Sequence, residues 1–176
     1  LLLDAGYAAD QFSEPGTSSL AMAMLDEGTI KLSALEISDA AANIGAIISA
    51  NAGIDSSSVS LSALKESIDA SLKLYADIIL NPSFPKNELE RLRKQRLAQI
   101  QQEKNQPFGI ALRILPKLLY GEDHAYSLPL TGSGTEISVQ KITQESLIKF
   151  HQDWFKPNNG SMAVSYTHLT LPTIYS

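Results

Sequence analysis

The chain has 176 residues, 44% of them apolar and 19% charged, the balance of a globular protein with one domain's worth of core. A net charge of −5 gives no basic footprint for nucleic acid, and the lack of cysteine excludes disulfides, thiolate metal sites and a cysteine nucleophile. No apolar run approaches the roughly 20 residues that a membrane span needs.

Leu1–Ala8 is apolar enough for a strand. It starts without an initiator Met, so the expectation is a chain cut inside that strand, with any leader lost. Asp10–Gly16 (DQFSEPG) has turn chemistry. Ser18–Thr29 (SSLAMAMLDEGT) reads as a short helix. Leu20 and Met24, then Ala21 and Leu25, fall four apart on one face. Gly28 is placed to end the helix in the left-handed conformation. Asp26 and Glu27 near that end oppose the helix dipole, which calls for a cation or a partner to hold them.

Ser33-Ala34-Leu35-Glu36 is a capping box, flanked by Leu32 and Ile37 at staple positions, and predicts a helix over Ala34–Asn43. Ile44–Ala52 and Ser57–Ala63 read as strands joined by a Gly53-Ile54-Asp55 turn into an antiparallel hairpin. In the second of them, Val59 and Leu61 alternate with Ser58, Ser60 and Ser62, the pattern of a sheet with one wet face. A helix over Lys65–Leu80 is expected to bury Ile68, Leu72, Tyr75, Ala76 and Ile79. Asn81–Pro85 breaks it, and Pro85 suits the first turn of the next helix, Lys86–Asn105. There Leu89, Leu92, Leu97 and Ile100 share a face, and Arg93 and Arg96 are expected to lay their stems on the core with their heads in water.

After Pro107, Phe108–Tyr120 resumes a helical pattern that tolerates Pro116 with a kink. Gly121–Glu136 reads as a long polar loop whose Thr131-Gly132-Ser133-Gly134 is flexible and at the surface. Thr143 caps a helix over Gln144–Phe155, stapled by Ile142, with Leu147, Phe150 and Trp154 facing the core. Ser161–Val164 reads as a strand cut short. Val164–Ser176 (VSYTHLTLPTIYS) then changes composition and resembles the translation of a sequencing adapter, the alternative being a natural, weakly β-prone tail. Residues 1–163 are therefore taken as the natural lobe and 164–176 as a non-native tail, with His168 set aside. The order of elements fits an α+β domain with helices packed on an antiparallel sheet.

Candidate chemistry is sparse. Gly132-Ser133-Gly134 lacks the Lys and the preceding strand of a phosphate loop. Glu122-Asp123-His124 is either a weak metal cluster or a solvated loop. His151, beside Trp154, reads as a packing or surface histidine, and no Ser/His/Asp set has meaningful spacing.

The order of short motifs nevertheless resembles one family. Gly6-Tyr7-Ala8-Ala9-Asp10, the helix ending Leu25-Asp26-Glu27-Gly28-Thr29, Ser33–Ile37, Ile44-Gly45-Ala46, Pro82-Ser83-Phe84, Glu90-Arg91, Tyr120-Gly121 with His124-Ala125-Tyr126, and Phe155–Asn159 follow its layout. Up to about Ala163 the chain resembles the insulinase/pitrilysin-like zinc metallopeptidases, the inverzincins. The resemblance implies an α+β lobe of a clamshell whose active and inactive halves close around an unfolded peptide. Catalytic halves carry H-x-x-E-H on the helix that ends in Gly-Thr, two His ligands and a Glu base that activates a zinc-bound water. Aligned on Gly28-Thr29, those positions hold Ser19, Met22 and Ala23, and the distal Glu ligand falls near Gln99.

The resemblance therefore implies the first lobe of a non-catalytic, C-terminal-type half. It would have no metal and no catalytic residue of its own, zinc in the catalytic half, and a peptide substrate and that half as partners. No nucleic acid or membrane span is expected, and the family suggests a periplasmic location. Gly132, Ser133 and Gly134 are expected to face the chamber and touch substrate. The family's substrate-binding Arg/Tyr pair would come from a second lobe, outside these residues. Two other readings remain: a peptidase-like scaffold without proteolysis, and an independent zinc enzyme using His124 and His151.

Overall fold

A computed structural model describes residues 1–166, so the greater part of the proposed non-native tail lies outside the described residues. Among these residues four strands, β1 (Leu2–Leu3), β2 (Ile47–Ala52), β3 (Ser57–Ser62) and β4 (Gly160–Ser161), form one antiparallel sheet in the order β2-β3-β1-β4. The hairpin forms as expected, with Ile47 opposite Ser62 and Ala52 opposite Ser57. Val59 is buried, while Ser49 and Ser60 share a hydroxyl–hydroxyl bond of 2.7 Å on the wet face. The first strand is shorter than its apolar run, because the chain turns at Gly6 into a 3-10 helix over Tyr7–Phe12. The last strand is likewise only two residues long, paired on β1.

Among the described residues, seven α-helices pack on this sheet and on each other: α1 (Thr17–Ala23), α2 (Ala34–Asn43), α3 (Ile68–Leu80), α4 (Lys86–Lys104), α5 (Pro107–Tyr120), α6 (Glu136–Lys141) and α7 (Gln144–Trp154). The chain is α+β, with helices packed on an antiparallel sheet. The capping box at Ser33 and Glu36 is present and starts α2 where expected. Pro116 sits inside α5, which continues past it to Tyr120.

Three expectations need correction. The helix read to Thr29 ends at Ala23, and Met24–Glu27 form turns. Gly28 is not a left-handed cap: its φ is 157°, and a Cβ there would lie 2.8 Å from Pro85 Cγ. Instead Gly28 accepts from the Ser83 amide, and the Ile30 amide donates to Asn81, tying this segment to the chain before α4. The buried stripe of α3 is Ser71, Leu74, Tyr75, Ile78 and Ile79; Ile68, Leu72 and Ala76 are exposed. Only a register fixed by Tyr75, whose hydroxyl donates to Val59 O at 2.6 Å, selects that face. The loop read over Gly121–Glu136 contains a 3-10 turn at Ala125–Ser127 and ends in α6, capped by Thr135 and Ser138.

The core joins Val59 of the sheet to Leu20, Ala21 and Met22 of α1, with Ile78, Leu89, Ile100, Val139, Leu147 and Phe150 from later helices and Ile142 between α6 and α7. α1 is thus central, packed against β2 and α7 and touching α4. On α5, by contrast, Phe108, Ile114, Leu115, Leu118 and Leu119 are all exposed.

Candidate functional site

The candidate site is α1 with the loop that lies on it. Gly16, in the left-handed conformation at φ 98°, starts the helix and offers no side-chain cap. Asp10 supplies what Gly16 lacks: its Oδ2 accepts from the Gly16 amide at 2.7 Å and its Oδ1 from the Ser18 amide at 2.9 Å. These are two of the donors that a helix N-terminus leaves free. Asp10 is fully buried, and burial pushes its carboxyl up to about 6 against the pull of the Ser18 and Gly16 amides.

The Thr131–Gly134 segment is not a flexible surface loop. Gly132, Ser133 and Gly134 are all buried, with Ser133 at 0% exposure. A Cβ on Gly132 would stand 2.7 Å from Ser19 Oγ and 2.8 Å from the Tyr7 ring; one on Gly134 would stand 2.2 Å from Pro15 O. Only glycine permits so close an approach at positive φ, which is 65° at Gly132 and 72° at Gly134.

An ion pair beneath holds the loop down. Glu103 of α4 accepts from Arg113 of α5 at 2.7 Å, from Ser133 Oγ at 2.8 Å and from Thr131 Oγ1 at 3.2 Å. Arg113 also donates to Ser133 Oγ and to Gly134 O, each at 2.7 Å. The Tyr7 hydroxyl closes the other side, donating to Leu130 O at 2.8 Å.

The positions where the resemblance places three zinc ligands (19, 23 and 99) and a Glu base (22) hold no imidazole or carboxylate. Ser19 is half-buried under Gly132, Met22 is 1% exposed within the core, and Ala23 ends the helix. Gln99 is exposed, its amide donating to Glu103 Oε1 at 3.1 Å along its own helix. A hydroxyl, a thioether, a methyl and an amide do not make a zinc site, which takes imidazole, thiolate or carboxylate. The residues here do not fit the metal.

The other candidates fall elsewhere. His124 Nδ1 accepts from the Tyr126 amide at 3.0 Å, and its ring stacks on Tyr120 with centroids 5.1 Å apart. His151 Nε2 bonds Ile79 O at 2.7 Å and its ring stacks on Phe155, so it is a packing histidine, its pKa lowered by burial. The structure therefore does not bring His124 and His151 together, and no group of three or more potential metal ligands occurs among the described residues. Glu27 has its cation: Arg91 lies 2.5 Å away.

The arginine heads are not in water. Arg93 donates to Val139 O and, at 2.7 Å, to Ile142 O, closing the C-terminal end of α6, and Arg96 is half-buried. Sequence reasoning missed Asp10, Glu103 and Arg113. Arg113 is one of only two cations in the otherwise apolar α5, and its sequence context gave that hint.

Known proteins resemble this chain over most of its length. Residues 1–131 match the family model described as insulinase, peptidase family M16. The non-peptidase homolog YmxG of Helicobacter pylori is 24% identical over 144 residues, 81% of this chain and 32% of its own. Among solved structures, a peptidase M16 inactive domain from Pseudomonas fluorescens superposes with a TM-score of 0.80 at 32% identity, over 85% of this chain and 36% of that one. A protease from Helicobacter pylori has the same fold, with a TM-score of 0.80 at 19% identity, over 90% of this chain and 38% of that one. The chain spans about a third of the length of these relatives.

Proposed function

The chain belongs to the insulinase family, peptidase M16, as a non-catalytic member, and from that premise we propose that it works as part of the half that does not hold the metal. In this reading it closes the chamber of a clamshell, helps to bind an unfolded peptide, and positions a catalytic half that carries H-x-x-E-H and zinc. One observation supports the reading: the helix on which the motif is expected is intact and well packed, and Ser19, Met22 and Ala23 stand on it where the motif's residues would fall. The helix keeps its place in the fold without the means to polarise water or take a proton.

The exposed apolar residues of α5 support a partner. A helix apolar on nearly all sides is one that is covered in its working state. The three residues of the Gly132–Gly134 loop are buried, so the loop acts on the chamber by bracing α1.

The test compares the chain alone, the H-x-x-E-H half alone, and the two together, on an unfolded peptide. The chain alone is expected to be inert, and the pair to cleave until a chelator is added. Cleavage by the catalytic half at full rate without this chain would sink the proposal. The second reading, a scaffold with no proteolytic role, is favoured by the likeness to a non-peptidase homolog. It predicts no cleavage in any combination, with the partner still bound.

A further inference from the structure

We infer that the face of α1 carrying Ser19, Met22 and Ala23 is a closed packing joint and not a vacated metal pocket, so that restoring metal donors to it does not restore a metal site. The inference rests on the family reading only for which positions are compared; the closure itself is read from contacts.

Three features close the joint. First, the space above Ser19 is taken. Gly132 approaches so nearly that even a methyl group there would lie 2.7 Å from Ser19 Oγ. The loop has no slack to retreat, because Ser133 and the Gly134 carbonyl are held by Glu103 and Arg113 while Gly134 itself abuts Pro15. An imidazole at position 19 must therefore displace a buried, hydrogen-bonded segment.

Second, position 22 points into the core. Met22 is 1% exposed and packs within the apolar cluster. A carboxylate there is an unpaired buried charge, which is costly unless a cation comes with it.

Third, the carboxylate nearest the loop is already committed. Glu103 Oε2 takes three donors and Oε1 takes the Gln99 amide. A Glu at position 99 would face Glu103 four residues away on the same helix, a like-charge pair.

The experiment grafts the donors back and reads the metal directly. One variant carries Ser19→His, Met22→Glu, Ala23→His and Gln99→Glu. A second omits Met22→Glu and so places no charge in the fully buried core. Each is titrated with Co²⁺ and followed in the visible region, where a tetrahedral site gives intense d–d bands, with circular dichroism as the check on folding. In the unaltered chain, hydrogen exchange is followed at the Gly132 amide, which donates to Pro129 O at 2.9 Å.

The expected result is no tetrahedral cobalt spectrum in either variant and slow exchange at Gly132, comparable to the amides of α1. Stoichiometric tetrahedral cobalt in either variant, or exchange at Gly132 as fast as in an exposed loop, overturns the closed joint. Neither result touches the family assignment. Failure of the proposed function would instead appear as chelator-sensitive cleavage by the unaltered chain.

Discussion

Arg113 Nη1 lies 2.7 Å from Glu103 Oε2, and both side chains are nearly out of water, at 10% and 11% exposure. Burying two charges is repaid only when the geometry is good and the remaining lone pairs are satisfied. Both conditions hold, since Thr131, Ser133 and Gly134 complete the set. Removing one partner strands the other. Arg113→Met is therefore expected to lower unfolding stability by about 3 kcal/mol in urea titrations, within the roughly 3–5 kcal/mol range for breaking buried pairs. Glu103→Leu added to it should recover part of that loss. An additive double mutant would show that the pair does not couple.

The two glycines of the loop should differ in sensitivity. At Gly134 a methyl group would meet a backbone carbonyl, Pro15 O, at 2.2 Å, whereas at Gly132 it would meet side chains, the Ser19 hydroxyl at 2.7 Å and the Tyr7 ring at 2.8 Å. Both positions also hold positive φ. Gly134→Ala is thus expected to cost more than about 2 kcal/mol and Gly132→Ala about 1–2 kcal/mol. Thermal unfolding of the two variants gives the order; the reverse order would mean that the loop pivots about Gly134.

Local chemistry in the sequence located α2, α7 and the hairpin, because a capping box or an alternating strand is a signal contained within a few residues. Ser33 with Glu36, Thr143, and Val59 among serines are of that kind. The burial of α3 was not legible. Ile68 and Leu72 are apolar enough for a core, yet Ser71 lies inside and they do not, because Tyr75 is anchored to Val59 across 16 residues. The loop at Gly132–Gly134 misled for a similar reason: glycine and serine signal flexibility only where nothing packs on them. What encloses them is an ion pair whose members lie 20 and more residues earlier. At the site the sequence showed which side chains stand where the resemblance expects the motif, Ser19, Met22, Ala23 and Gln99, but not that Gly132 lies over Ser19 or that Met22 is buried.

Arg93 offers a test of the difference between a cation and a fork. Its two terminal nitrogens reach the Val139 and Ile142 carbonyls at the end of α6, and it also pairs with Glu90. Lys keeps the charge but presents it from a single point, so it satisfies one carbonyl at a time. Arg93→Lys is expected to cost about 1–2 kcal/mol and to speed hydrogen exchange in α6 while leaving α2 unchanged. A variant as stable as the parent would mean that water serves these carbonyls equally well.

Asp10 and His151 pull the pH dependence of stability in opposite directions. The Asp10 carboxyl stands at about 6, above its ordinary 3.8, so folding favours its protonated form. That contribution is fully present below about pH 4 and is lost as pH rises through about 6. His151 is shifted below its ordinary 6.5 by burial, partly offset by its bond to Ile79 O, so folding favours its neutral form. Its contribution is present above pH 6.5 and is lost as pH falls from there toward its lowered value. Asp10→Asn separates the two. The amide has one acceptor oxygen for the two amides of Gly16 and Ser18, so the variant is less stable at every pH. Its deficit is expected to be greatest near pH 4, where the parent's carboxyl is protonated, and to shrink by on the order of 2 kcal/mol by pH 7. Urea unfolding of both proteins at the two pH values measures it. A deficit that grows with pH would mean that the backbone donors at the start of α1 outweigh burial and hold Asp10 as a carboxylate.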